Sequence, residues 1–129
     1  MRKKKILVVD DDVPLADSMK LVLEDTGNFD VCVETDSVSA LATARNFQPD
    51  VVLLDIVMPG LDGGDVSAQL KQDPFLSSVP IIIVTALVAN SEAGRDDGID
   101  SGGQMMIAKP VRFRKLLHAI ETTLVASVH

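Results

Sequence analysis

Three aspartates, Asp10, Asp11 and Asp12, follow directly on the apolar run Ile6 to Val9 in "ILVVDDD". Adjacent carboxylates repel one another, and any of them carried toward the interior resists ionising unless a cation or strong donors stand near it. Elsewhere the chain sets Asp55 after "VVLL", Thr85 after "PIIIV" and Lys109 after "QMMIA". Two or three carboxylates and a carbonyl, completed by water, make an oxygen site suited to a hard divalent cation, and Mg2+ commonly shares such a site with a phosphate. One carboxylate can attack phosphorus and carry the group as an aspartyl phosphate. A metal and an ammonium then neutralise the equatorial oxygens, while a hydroxyl donates to one of them.

These residues need elements to position them. Five runs rich in β-branched and aliphatic residues recur, "KILVV", "DVCVET", "DVVLLD", "PIIIVTA" and "QMMIAK", separated by segments of helical length. The alternation predicts βα units and a parallel sheet. Ile6 to Val9, Val51 to Leu54 and Ile81 to Val84 are continuously apolar, as strands covered on both faces must be; the second run alternates, as an edge strand does. Ligands of an open α/β sheet bind beyond the carboxyl ends of its strands, which is where Asp10, Asp11, Asp55, Thr85 and Lys109 fall. Singly, each has an ordinary structural reading: an aspartate pair caps a helix, Asp55 can open the turn in "MPGLDG", and a threonine or lysine can simply end a strand. Their coincidence at four strand ends favours one shared site.

Leu15, Met19, Val22 and Leu23 stand at helical spacing between Pro14 and Asp25. Ser37 is positioned to cap a second helix through Leu41 and Ala44 to Phe47. A third is expected around Asp65 to Gln72, and Phe113, Leu116, Leu117, Ile120 and Leu124 form the apolar stripe of the last. The stretch 90–103 holds four glycines, each costing a helix interior about 1 kcal/mol relative to alanine, and is expected to be a short helix or a loop.

The 129 residues suit one domain, 1–129, with a sizeable core. A net charge of −7, with four Phe and neither Trp nor Tyr, argues against direct nucleic-acid binding. No apolar run approaches a membrane span, and "MRKKK" is followed by too short an apolar stretch for a signal peptide, so a cytoplasmic location is expected. Cys32, the single cysteine, excludes an internal disulfide and a thiolate-rich zinc site. His118 is expected to be a surface or partly buried residue of the last helix.

In order and spacing, "KILVVDDD", "DVVLLDIVMPGLDG", "IIIVTA" and "AKP" closely resemble the receiver domain of two-component response regulators over nearly the whole chain. The resemblance implies a CheY-like, flavodoxin-like topology of five parallel strands in the order 2-1-3-4-5, flanked by five helices. It implies Asp55 as phosphoacceptor, with Asp10, Asp11, Asp55 and the Val57 backbone carbonyl holding Mg2+. Thr85 and Lys109 would contact the phosphoryl group, and the Lys109-Pro110 peptide would be cis. Partners would be a histidine kinase or phosphotransfer protein and a downstream effector protein. The family commonly signals and dimerises through its fourth helix, fifth strand and fifth helix, so a phosphorylation-dependent homodimer is also implied. The domain would catalyse only its own phosphorylation and dephosphorylation, alone or as part of a longer chain.

Two departures and two alternatives accompany this. Met106 stands where the family usually has a Tyr or Phe that rotates on activation, and Val111 where it often has Phe. Phosphorylation is accordingly expected to order residues 90–103 more than to rotate one side chain. A Mg2+-dependent aspartyl-phosphate phosphatase or phosphotransferase acting on a small substrate would usually carry a second carboxylate at position 57, here valine. A flavin binder of the same topology would need a first loop less acidic than "DDD".

Overall fold

The computed structural model describes residues 2–86 and 105–127. At its centre lie five parallel strands, β1 (Lys4–Val9), β2 (Phe29–Glu34), β3 (Val51–Leu54), β4 (Ile81–Thr85) and β5 (Met106–Ala108), in the order β2-β1-β3-β4-β5. The three continuously apolar runs are the interior strands, and the alternating one, β2, is an edge. Four α-helices occur among the described residues: α1 (Val13–Asp25), α2 (Ala40–Phe47), α3 (Gly63–Gln72) and the C-terminal helix (Phe113–Ser127). The stretch 90–103 lies outside the described residues. No described helix is long and apolar enough to cross a membrane.

Alternation along the interior strands divides the core into two layers. Ile6, Val8, Leu53, Ile82 and Val84 pack on one side with Met19 and Leu23 of α1 and with Leu116 and Ile120 of the C-terminal helix. Leu7, Val9, Leu54, Ile81 and Ile83 pack on the other with Ala40 and Ala44 of α2 and with Val66 and Leu70 of α3. Leu116 and Ile120 are four residues apart and wholly buried; side chains of this size contribute about 1.5–3 kcal/mol each when removed from water.

Local side-chain bonds set where the helices begin. Asp12 caps α1, its Oδ1 accepting the Leu15 N–H at 3.1 Å. The cap expected at Ser37 is not made: Asp36 Oδ1 accepts the Val38 N–H at 3.1 Å and caps a short 3-10 turn, Ser37–Ser39, and α2 itself follows Ser39 without a side-chain cap bond. The two residues compete for one role, and the carboxylate one position earlier takes it, leaving the Ser37 hydroxyl to point elsewhere. Likewise α3 starts at Gly63, two residues before the expected Asp65, because Asp62 Oδ1 accepts the Asp65 N–H at 2.9 Å.

At the opposite edge of the sheet from the strand carboxyl ends, Arg45 Nε of α2 donates to Asp73 Oδ2 at 2.6 Å. The guanidinium holds the Asp73 carboxyl below its ordinary 3.8, and the Phe75 N–H, donating at 2.9 Å, adds to the effect. A carboxylate whose folded-state pKa is depressed contributes stability that is present above its unfolded value and is lost as pH falls through the folded value. Arg45→Ala is therefore expected to lower the urea midpoint near pH 7, with the gap from the native chain narrowing as pH falls below about 4; unfolding curves at several pH values check this.

Candidate functional site

Parallel pairing brings the carboxyl ends of the strands to one edge. Val9 pairs with Leu54 and Thr85 with Ala108, so the next residues along are Asp10, Asp55 and Lys109. Two backbone bonds continue the ladder past the strand ends: the Asp55 N–H donates to the Val9 carbonyl and the Lys109 N–H to the Thr85 carbonyl, each at 3.0 Å. Thr85 itself is fully buried. The Lys109-Pro110 peptide is cis.

Lys109 is the hub of the cluster. Its Nζ lies 3.1 Å from Asp10 Oδ2 and 3.1 Å from Asp55 Oδ2. The three side chains are 18%, 1% and 5% exposed respectively. Asp55 Oδ1 accepts the Val57 N–H at 3.2 Å, and Asp10 Oδ1 accepts the Asp12 N–H at 2.9 Å. Burial pushes the Asp10 carboxyl above 3.8, although the Asp12 N–H and Lys109 oppose it. At Lys109 burial disfavours the ammonium, yet hydrogen bonds and charge from Asp10 and Asp55 outweigh it and the pKa rises above 10.5.

Asp11 remains exposed, but Asp10, Asp11 and Asp55 each offer a carboxylate oxygen within 4.8 Å of the others. One ammonium cannot neutralise three carboxylates. Asp10 Oδ2, buried and ion-paired to Lys109, accepts no hydrogen bond. A buried carboxylate oxygen with no hydrogen bond, beside two further carboxylates and with one ammonium among the three, fits a hard divalent cation, which those three residues would hold.

The turn after β3 is held close to this cluster. The Gly63 N–H donates to the Ile56 carbonyl at 2.8 Å. A Cβ at Gly63 would overlap the Asp55 carbonyl oxygen and Ile56 Cα, so only glycine lets α3 start this near the end of β3. At the loop tip the Ser37 Oγ donates to the Pro59 carbonyl at 2.9 Å and accepts the Leu61 N–H at 3.0 Å. This tie escapes sequence reasoning, which assigns Ser37 to a cap; Asp36 immediately before it was the signal that the hydroxyl had other work.

Of the remaining sequence candidates, Asp12 serves the helix start, His118 is exposed and Cys32 is half-buried, its thiol pushed up by burial and then by the Glu34 charge. Met106 is half-buried against the α2 and α3 layer of the core.

The family model described as response regulator receiver domain matches residues 6–121. Among curated proteins the chain is 38% identical over 122 residues to the DNA-binding response regulator MtrA of Mycobacterium tuberculosis, covering 95% of this chain and 51% of that one. It is 38% identical over 110 residues to the response regulator PleD of Caulobacter vibrioides, covering 83% of this chain and 23% of that one. It thus spans about half or less of these relatives' lengths. Among solved structures, a CheY-like response regulator receiver domain protein of Methanospirillum hungatei superposes with a TM-score of 0.78 at 29% identity, covering 98% of this chain and 97% of the other. A Francisella response regulator receiver domain does so with a TM-score of 0.79 at 28% identity, covering 97% and 99%.

The crowding of carboxylates has a measurable consequence. Asp10→Asn removes a charge whose ionisation the fold opposes, and is expected to melt above the native chain when no divalent cation is added. Mg2+ at ten times its dissociation constant should stabilise the native chain by about 1.4 kcal/mol and the variant by clearly less. Thermal melts with and without Mg2+ measure both effects.

Proposed function

Because the chain belongs to the response regulator receiver domain family, we propose that it accepts a phosphoryl group on Asp55 from a histidine kinase or phosphotransfer protein in a Mg2+-dependent reaction. The observation that carries this reading is the Lys109 ammonium bridging Asp10 and Asp55 at 3.1 Å each. An ammonium fixed beside a buried carboxylate also stands beside any phosphoryl group that carboxylate receives.

Asp55 supplies the attacking oxygen, and its bond to phosphorus forms as the bond from phosphorus to the donor's imidazole nitrogen breaks. The Val57 N–H holds Oδ1 and so orients the carboxylate. Lys109 turns from the carboxylate oxygen toward the equatorial phosphoryl oxygens, and Thr85 donates to one of them. Asp10, Asp11, Asp55 and the Val57 carbonyl would hold Mg2+, which would supply positive charge to the phosphoryl oxygens.

Phosphorylation then shifts conformational populations and with them the affinity for a downstream effector protein or a second copy of the chain. Output through protein contact agrees with the net charge of −7, which disfavours direct binding of nucleic acid by this segment. The domain acts on no substrate besides its own phosphoaspartate, and a cytoplasmic setting accords with meeting a kinase's phosphohistidine.

Incubation with a small acyl phosphate and Mg2+ is expected to label the native chain and leave Asp55→Asn unlabelled; label on the variant would defeat the assignment. The exposed apolar side chain of Val57 offers no group to orient water toward the acyl phosphate, so the label should be long-lived. Val57→Asn is expected to hasten its loss, followed by the decay of label after the donor is removed.

A further inference from the structure

We infer that Ser37 is a positioning residue for the cation site, acting through the loop that follows Asp55; this rests on the Mg2+-dependent reading above. Ser37 lies outside every motif that points to the site, and its side chain reaches none of the site's carboxylates. It is nonetheless 2% exposed, with both hydrogen-bonding capacities of its hydroxyl used on one loop. Oγ–H donates to the Pro59 carbonyl at 2.9 Å, and Oγ accepts the Leu61 N–H at 3.0 Å.

These two groups bracket Gly60, whose φ of +83° places it in the left-handed region. The tie therefore holds the tip of the loop, where the backbone is least restrained by its own geometry. A Cβ on Gly60 would come within 3.2 Å of the same Oγ, so the hydroxyl and the missing side chain fit each other. At its ends the loop is held by the Gly63 N–H on the Ile56 carbonyl and by the Val57 N–H on Asp55 Oδ1.

Val57 carries the last of these anchors on its N–H, and its carbonyl lies between that anchor and the Ser37 tie. With the tip held, the Val57 carbonyl, one peptide unit beyond the N–H anchored on Asp55, has its freedom narrowed from both sides. Without the Ser37 hydroxyl, Pro59 and Leu61 lose their partner, the segment from Val57 to Leu61 samples more orientations, and the cation must order it on binding. The predicted effect falls on affinity for Mg2+ and leaves the chemical step intact once the site is filled.

Mg2+ alone, titrated into the full chain and followed by the amide shifts of Asp11 and Val57, tests this. Ser37→Ala is expected to raise the apparent dissociation constant roughly three- to ten-fold. In labelling by a small acyl phosphate it should raise the Mg2+ concentration for half-maximal rate by the same factor, while the rate at saturating Mg2+ stays close to native. Gly60→Ala, which crowds the same hydroxyl, should move both quantities in the same direction. Ile120→Val is the packing control, on the opposite face of the sheet, and should lower the melting temperature without changing Mg2+ affinity. Native affinity in Ser37→Ala, or an equal loss in Ile120→Val, overturns the role. A native chain that binds Mg2+ yet takes no label overturns the phosphoacceptor assignment alone, because the titration still separates Ser37→Ala from Ile120→Val.

Discussion

One ammonium held between two buried carboxylates is the interaction on which the organisation of this molecule turns. Lys109 is separated by 99 residues from Asp10 and by 54 from Asp55, so the cluster exists only when β1, β3 and β5 are in place together. Desolvation opposes the charge on Lys109 and on Asp10, and the nearby carboxylates outweigh it for the lysine while Asp10 is left reluctant to ionise. A cluster left with surplus negative charge costs stability in isolation and attracts cations. The site is thus strained electrostatically in the direction that favours a divalent cation.

The sheet supplies the rigidity this requires. Interior strands packed on both faces leave the strand ends little freedom, and the backbone bonds from Asp55 to Val9 and from Lys109 to Thr85 carry the ladder into the site itself. Even the short β5, three residues at an edge, is held in register against β4 from Ile83–Met106 to Thr85–Ala108. The loop after Asp55 has no ladder to join, and its order comes from side-chain and backbone ties at Gly63, Val57 and Ser37. The carboxylate is thus fixed by the sheet, and the loop beside it by ties of its own.

Legibility varied with the range of the forces involved. Continuous apolar runs marked β1, β3 and β4, because burial on both faces leaves no position for a polar residue; alternation marked β2 as an edge. The stripe of the C-terminal helix was visible in Leu116 and Ile120 for the same reason. Caps were harder: Asp36 and Ser37 are both good N-cap residues, and nothing in their local sequence says which side chain will find the helix N–H. The choice depended on Pro59 and Leu61, 22 and 24 residues on, which claim the serine hydroxyl. The start of α3 was similarly hidden, since Gly63 reads as a helix breaker until its contact with the Asp55 carbonyl is seen.

By itself the sequence determined the kinds of elements, their order, and the placing of three carboxylates, a hydroxyl and an ammonium at strand ends, because hydrophobic periodicity and strand termini are local properties of the chain. Only the tertiary structure decided which of those groups meet. Asp10 turned inward to Lys109, Asp11 stayed exposed, Asp12 went to the helix N–H, and the Ser37 hydroxyl reached across to hold a loop. Strand neighbours and register are set by backbone hydrogen bonds and packing between segments distant in the chain, and adjacent aspartates differ only in the environment that this pairing builds around each of them.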